Sequence, residues 1–122
     1  MRPLLIALLL CCSTMAQAAI QTREVPYTAA DGTRLVGYHA WDDAISGPRP
    51  GVIVVHEWWG LNDYAKRRAR DLAALGYSAL AVDMYGDGRN TQHPDDAKAF
   101  MNAALADPAI PKARFQAGLD LL

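Results

Sequence analysis

The sequence has 122 residues and a formal net charge of −1, from 12 basic and 13 acidic side chains. This length predicts one domain or part of one, and the balanced charge gives no electrostatic reason to expect nucleic acid or an anionic membrane surface as a partner. The basic run at residues 66–70 fits the solvated face of a helix.

The first eighteen residues differ in composition from the rest of the chain. Arg2 gives a positive start, residues 4–12 are an unbroken apolar run, and Ala16-Gln17-Ala18 matches the small-x-small pattern that signal peptidase reads. The apolar run is much shorter than the roughly 20 residues of a membrane span. We therefore expect residues 1–18 to be a signal peptide, and residues 19–122 to be exported to the periplasm or secreted, with no membrane attachment after cleavage.

Both cysteines, Cys11 and Cys12, lie in this leader. A lipoprotein signal needs small residues just before the modified cysteine, and Leu10 and Cys11 do not fit that pattern. After cleavage the chain has no cysteine, so we expect no disulfide, no cysteine metal ligand and no cysteine nucleophile within residues 19–122. Its stability must then come from a packed core.

A β-hairpin is predicted at the start of the mature chain, with strands at residues 22–27 and 33–41. Asp31-Gly32 between them tolerates the positive φ that a tight turn demands. Pro26 lacks a backbone N–H, which places the first strand at a sheet edge. Residues 42–50 are rich in Asp, Gly, Pro and Ser and predict a loop.

A βαβ unit is predicted next. Residues 51–56 (GVIVVH) and 78–83 (SALAVD) are apolar without alternation, which is typical of strands covered on both faces of a parallel sheet. The helix between them is expected over residues 63–75, with Asn62 as its N-cap and Gly76 as the left-handed residue after its end. Helical spacing gives this helix one buried stripe, formed by Ala65, Ala69, Leu72 and Ala73.

Two further helices are predicted toward the end of the sequence. The first begins at Pro94, where acidic residues in the first turn favour the helix dipole, and it ends before Asp107-Pro108. The second begins at Pro111 and is expected to continue to the last residue. We therefore expect residues 19–122 to be the N-terminal part of a larger α/β sheet. The predicted apolar side of the last helix is formed by Phe115, Leu119 and Leu122.

The stretch His56-Glu57-Trp58-Trp59-Gly60 follows the first buried strand and has three interpretations. A zinc-protease HExxH helix is excluded, because Gly60 occupies the second histidine position and the segment follows a strand. A structural interpretation makes Glu57 a local hydrogen-bonding residue and the tryptophans packing residues. In the third, the stretch is an active-site loop, since ligands of open α/β sheets bind beyond the carboxyl ends of the strands. Gly60 would then let the backbone approach a substrate.

Residues 50–62 (PGVIVVHEWWGLN) resemble the corresponding segment of dienelactone hydrolases. Residues 71–77 (DLAALGY) and 81–86 (AVDMYG) are similar to that family's next helix end and strand end, and the likeness covers the chain from about Thr28 onward. The resemblance implies the N-terminal part of an α/β-hydrolase fold, with a β-hairpin, a βαβ unit, flanking helices and an incomplete sheet.

By position, the resemblance assigns roles to individual residues. It implies that the Glu57 carboxylate contacts and activates the nucleophile, that Trp58 gives a backbone N–H to the oxyanion hole, and that Trp59 and Tyr85 bind the substrate. Asp87 stands where some members use an arginine to bind a substrate carboxylate, which argues against dienelactone itself. The implied partner is a small ester or lactone, with no cofactor and no metal.

The nucleophile itself is missing from the sequence. No Gly-x-Ser-x-Gly or Gly-x-Cys-x-Gly motif occurs, and in this fold the nucleophile, the acid and the histidine follow in that order, which places all three beyond Leu122. Neither His39 nor His93 is expected to act as the base. We therefore expect a full-length ester or lactone hydrolase and an inactive chain 1–122. The alternatives are a non-catalytic exported binding module on the same scaffold and a short protein that is stable by itself.

Overall fold

The computed structural model describes residues 19–122, so the predicted signal peptide and its cleavage after Ala18 lie outside the described residues. This part of the chain forms a four-stranded mixed sheet and three helices. The predicted elements are all present, with ends that differ by a few residues. In chain order they are β1 (Ile20–Thr28), β2 (Arg34–Asp42), β3 (Gly51–Val55), α1 (Asp63–Ala74), β4 (Ser78–Val82), α2 (Pro94–Ala104) and α3 (Ala109–Leu119).

The hairpin of β1 and β2 forms one side of the sheet. The two strands pair antiparallel from Ile20↔Asp42 to Thr28↔Arg34, and Gly32 has the predicted positive φ of 86° in the turn between them. The strand order is β1-β2-β4-β3, so β1 is an edge strand. Pro26 therefore lies where a missing backbone N–H breaks no interior ladder, as predicted.

The βαβ unit forms the other side. β3 and β4 pair in parallel, from Gly51↔Ser78 to Val55↔Val82. The Asn62 side chain caps α1 by accepting a hydrogen bond of 3.3 Å from the Ala65 N–H, and Gly76 has a φ of 98° after the helix end. Both predictions are confirmed. The predicted stripe of α1 packs on the sheet and forms its main core with Ala40, Leu61, Ala79 and Ala81.

The apolar sequences of β3 and β4 predicted that both strands are covered on both faces. Within the described residues this prediction is wrong for β3 and correct for β4. Residues 79–82 of β4 are buried, because β4 lies in the middle of the sheet and both α1 and α3 pack against it. Within residues 19–122, β3 pairs with β4 alone, its middle residues are half-buried, and Val55 is 52% exposed. An apolar sequence therefore marks both strands, but their neighbours decide how deeply each one is buried.

The expectation that the last helix continues to the end of the chain is also wrong. α3 ends at Leu119, and the N–H of Asp120 closes it by donating to the Gln116 carbonyl at 2.9 Å. None of the helices in the described part of the chain is long and apolar enough to cross a bilayer.

The side of α3 that faces the sheet differs from the predicted one. Arg114 and Gly118 are the buried residues of this helix, whereas the three predicted apolar residues are exposed. The reason is the close approach at Gly118, where a Cβ would lie 2.4 Å from Val82 Cγ1. Only a residue without a side chain fits there, so the helix packs through its glycine. The exposed residues are Phe115, Leu119 and Leu122.

Candidate active site

The candidate site lies where β3 and β4 end. Because the two strands are parallel neighbours, the loops that follow them leave the same edge of the sheet. We call residues 56–62 the β3 loop and residues 83–93 the β4 loop. Glu57 and Trp58 of the β3 loop and Tyr85 of the β4 loop line one cavity of about 350 Å³. Three of the four residues that the sequence assigned to the site are thus brought together.

The β3 loop turns back on itself at Glu57. The Glu57 carbonyl accepts hydrogen bonds from His56 Nδ1 at 2.7 Å and from the Gly60 N–H at 3.1 Å. The Glu57 carboxylate is exposed and accepts no hydrogen bond from any residue in the range 19–122. The Trp58 N–H likewise has no acceptor in the described part of the chain. A carboxylate and a backbone donor are therefore both available at the cavity.

Crossed hydrogen bonds join the two loops. The Tyr85 hydroxyl donates to the Trp58 carbonyl at 2.9 Å, and the Met84 N–H donates to His56 Nε2 at 3.2 Å. The rings of His56 and Tyr85 also meet edge to face, with centroids 4.7 Å apart. Each loop thus fixes backbone groups of the other.

Gly60 has a different role from the predicted one. Its φ is 90°, and a Cβ on it would lie 2.2 Å from the Arg89 carbonyl oxygen. A β-bridge pairs Gly60 with Asn90 at this point. The glycine is needed because the β4 loop lies against it, so the idea that it admits a substrate is wrong.

Asp83 shapes the β4 loop, and sequence reasoning missed this role. Its carboxylate is fully buried and accepts hydrogen bonds of 2.7–3.0 Å from four backbone N–H groups. Residues 86–88 all have positive φ as the loop wraps around this side chain. The sequence feature that could have revealed it is an Asp at the end of an apolar strand, three residues before Gly-Asp-Gly. Asp side chains in such positions bind backbone donors of the following turn. The four donors belong to Val36, Tyr85, Gly86 and Gly88.

Arg114 of α3 is a second supporting residue that the sequence did not reveal. Its side chain is buried, and Nη1 donates to the Met84 carbonyl at 2.8 Å. The Met84 N–H is therefore held by His56, and the Met84 carbonyl is held by Arg114. Helical periodicity pointed to a different side of α3 and could not have found it.

Trp59 lies outside the cavity wall. It is half-buried with its ring centroid 5.0 Å from that of Trp58, and its carbonyl accepts the Thr91 N–H at 3.0 Å. Its role in substrate binding stays a prediction.

The charged residues of the β4 loop are already engaged. Arg89 donates to the Gly86 and Tyr85 carbonyls, and its guanidinium lies 5.0 Å from the centre of the Phe100 ring. Asp87, at the position where some dienelactone hydrolases have an arginine, is exposed and pairs with Arg34 at 3.0 Å. Arg89 is therefore not free to bind a substrate carboxylate at the cavity, and Asp87 is itself negatively charged.

Burial determines the protonation of the two rings that join the loops. Removal from water lowers the pKa of His56, although its bond to the Glu57 carbonyl opposes this effect. Burial raises the pKa of Tyr85, so its hydroxyl keeps the proton that it donates to Trp58. At neutral pH the ties between the loops are therefore made by uncharged groups.

A Ser–His pair also occurs far from this cavity. His39 Nε2 lies 2.8 Å from Ser78 Oγ, but Ser78 is at the start of β4, at the opposite end of that strand from the loops. His93 is exposed at the start of α2 and makes no side-chain capping bond. Within residues 19–122 no group of three His, Cys, Asp or Glu side chains could hold a metal ion.

Comparison with known proteins gives matches along most of the chain. The sequence model of a family described as the dienelactone hydrolase family matches residues 35–120. Protein usf of Aquifex pyrophilus is 38% identical over 100 residues, which cover 75% of this chain and 40% of that protein.

Solved structures with the same fold agree with this match. A dienelactone hydrolase-like promiscuous phosphotriesterase from metagenomic libraries is 45% identical, with a TM-score of 0.77. The protein m3DLH is 43% identical, also with a TM-score of 0.77. Each match covers 84% of this chain and 42% of the other protein. The chain thus spans about two fifths of the length of these relatives.

Proposed function

Because the chain belongs to the dienelactone hydrolase family, we propose that it supplies the N-terminal part of an enzyme that hydrolyses ester or lactone bonds. The site is the cavity at the carboxyl ends of β3 and β4, where ligands of α/β sheets bind. The nucleophile, the acid and the histidine of the triad follow Leu122 in the complete enzyme, in the chain order of this fold.

The observation that carries this proposal is the Trp58 N–H. It has no acceptor within residues 19–122, it lies on a loop that lines the cavity, and its neighbouring carbonyls are both held by hydrogen bonds. Attack on an ester places negative charge on the carbonyl oxygen, and a backbone donor that is already oriented stabilises that charge without reorganising. A free, fixed N–H at this edge suits an oxyanion hole.

In the proposed reaction, a serine or cysteine beyond Leu122 attacks the ester carbon. The Glu57 carboxylate contacts this nucleophile and takes part in removing its proton, while the Trp58 N–H donates to the developing oxyanion. The tetrahedral intermediate then expels the alcohol, which leaves with a proton, and an acyl-enzyme remains. Water attacks the acyl group in the same way and releases the acid.

The cavity favours an uncharged acyl group. Apart from Glu57, its walls are mostly apolar, and Arg89 is held by carbonyls of its own loop. We therefore propose neutral esters or lactones as substrates, rather than substrates that carry a carboxylate. We also propose that the leader exports the enzyme, so that it meets these substrates outside the cytoplasm. The apolar part of the wall includes Val55, Met84, Met101 and Leu105.

Turnover assays of the complete enzyme and of residues 19–122 test this proposal. The complete enzyme should hydrolyse a neutral p-nitrophenyl ester and a neutral lactone, and it should prefer them to analogues that bear a carboxylate. Residues 19–122 alone should be inactive, because an acyl-enzyme needs a nucleophile. A complete protein that binds these compounds without turning them over would instead be a non-catalytic binding module. Turnover by residues 19–122 that is lost on mutating one of them would contradict the assignment of the site.

A further inference from the structure

His56 has no direct part in the proposed reaction, yet its side chain joins the two loops through a hydrogen bond to Met84 and a ring contact with Tyr85. The residue is only 9% exposed, and both of its ring nitrogens bind backbone groups. Nδ1 lies 2.7 Å from the Glu57 carbonyl oxygen, and Nε2 lies 3.2 Å from the Met84 nitrogen. A histidine with both nitrogens engaged has a fixed ring orientation.

These partners also determine the tautomer of His56. The Met84 N–H can only donate, so Nε2 must accept and carry no hydrogen. The ring hydrogen of neutral His56 is therefore on Nδ1, which donates to the Glu57 carbonyl. This carbonyl is held a second time by the Gly60 N–H at 3.1 Å.

The Glu57 carbonyl and the Trp58 N–H belong to one peptide group. A trans peptide is planar, and its C=O and N–H point in opposite directions. Two donors that hold the carbonyl on one side therefore aim the N–H toward the other side. Rotation of this peptide would break the bonds to His56 and Gly60 together.

We propose that His56 is a positioning residue for the oxyanion hole, because its Nδ1–H holds the peptide group whose N–H, that of Trp58, faces the reacting oxygen. This inference rests on the proposed function. The bond from the Met84 N–H has a different role, since it orients the His56 ring and joins the loops. The two bonds of one side chain can therefore be tested separately.

Two amide variants in the complete enzyme separate them. In His56→Asn the amide nitrogen lies near the position of Nδ1 and can still donate to the Glu57 carbonyl. In His56→Gln the amide oxygen reaches the position of Nε2 and can still accept from the Met84 N–H, but the donor to Glu57 is lost. Each variant thus keeps one of the two bonds.

If His56 positions the peptide, His56→Gln should lower kcat for acylation about 10²-fold, as loss of an oxyanion donor does. KM should change little, because the oxyanion exists only in the transition state. His56→Asn should stay within about tenfold of the wild type, the effect of losing one neutral hydrogen bond. Affinity for an arylboronic acid, which mimics the tetrahedral oxyanion, should fall in parallel with kcat. The reverse order, or equal losses in both variants, would leave His56 as a tether between the loops.

An NMR measurement tests the same inference without any assay. In ¹⁵N spectra of the wild-type enzyme, neutral His56 should carry its hydrogen on Nδ1, and an Nε2–H tautomer would overturn the proposal. This readout does not depend on activity or on the folding of a variant. If the wild type shows the Nδ1–H tautomer but no turnover, the proposed function fails while the arrangement of the loop stands.

Discussion

The backbone of Gly60 lies so close to the carbonyl oxygen of Arg89 that a Cβ on Gly60 would be 2.2 Å from that oxygen. The Leu61 N–H also donates to this oxygen, at 3.4 Å. The contact joins the β3 loop to the β4 loop. Because Trp58 and Tyr85 lie on different loops, their mutual geometry depends on it.

Gly60→Ala should destabilise the complete protein by about 3 kcal/mol, because a positive φ and a steric overlap combine at this site. Gly32→Ala is the matched control. Gly32 has a similar φ of 86°, but a Cβ there would meet no described atom within 4 Å, so only the backbone strain of about 1 kcal/mol remains. Urea unfolding of both variants measures the difference, and equal losses would show that the loops separate easily.

Asp83→Asn should cost about 3 kcal/mol, because each carboxylate oxygen accepts two backbone N–H bonds and the amide keeps only one of these oxygens, so two buried N–H groups lose their acceptor. Asp87→Asn is the matched control, because it makes the same chemical change at an exposed aspartate of the same loop. Its exposed ion pair with Arg34 should contribute less than about 1 kcal/mol. Unfolding free energies of the two variants test this, and a small loss at Asp83 would mean that the β4 loop keeps its shape without the carboxylate.

Glu57→Gln should lower the acylation rate of the complete enzyme about 10²–10⁴-fold, the range of general-base assistance. Stability should change little, since the carboxylate is exposed and accepts no hydrogen bond within residues 19–122. Pre-steady-state acylation and thermal melts of the same variant measure the two effects. Unchanged acylation with a lowered melting temperature would instead give Glu57 a structural role.

Stability should fall as the pH drops below the ordinary histidine pKa of 6.5. Burial lowers the pKa of His56 more than the nearby Asp83 carboxylate raises it. The unfolded chain therefore takes up a proton at a pH where the folded chain does not, and the contribution of His56, complete above pH 6.5, decreases as the pH falls toward the lowered value.

Unfolding free energies measured between about pH 7 and about pH 5 should show a shallower slope for His56→Asn than for the wild type. His39 contributes with the same sign, because burial, Arg23 and Arg49 lower its pKa. His39→Asn should therefore reduce the slope as well, and the two effects should add. A slope unaffected by His56→Asn would show that His56 titrates as in the unfolded chain.

Export should remove the leader after Ala18. The charged start, the short apolar run and the Ala-Gln-Ala sequence favour cleavage there. Mass spectrometry of the exported protein should find Ala19 at the N-terminus. A cytoplasmic product that keeps Met1 would contradict this prediction, and Ala18→Leu should block processing if the site is correct.

Local sequence patterns determined most of the architecture. The unbroken apolar runs marked β3 and β4, Asn62 and Gly76 marked the ends of α1, and Pro26 marked an edge strand. Each of these features depends on neighbouring residues, so it can be predicted from the sequence. The family resemblance of the β3 loop rests on the same kind of local information.

The contacts that hold the candidate site together could not be predicted from local patterns. His56 binds Met84, Tyr85 binds Trp58, and Asp83 binds Val36, all across long separations in sequence. Periodicity reports which residues avoid water, and so it favoured the apolar side of α3 over the side with Arg114 and Gly118. Local patterns were enough to predict which residues stand at the strand ends. The directions of their backbone N–H groups depend on hydrogen bonds that exist only once the two loops lie side by side.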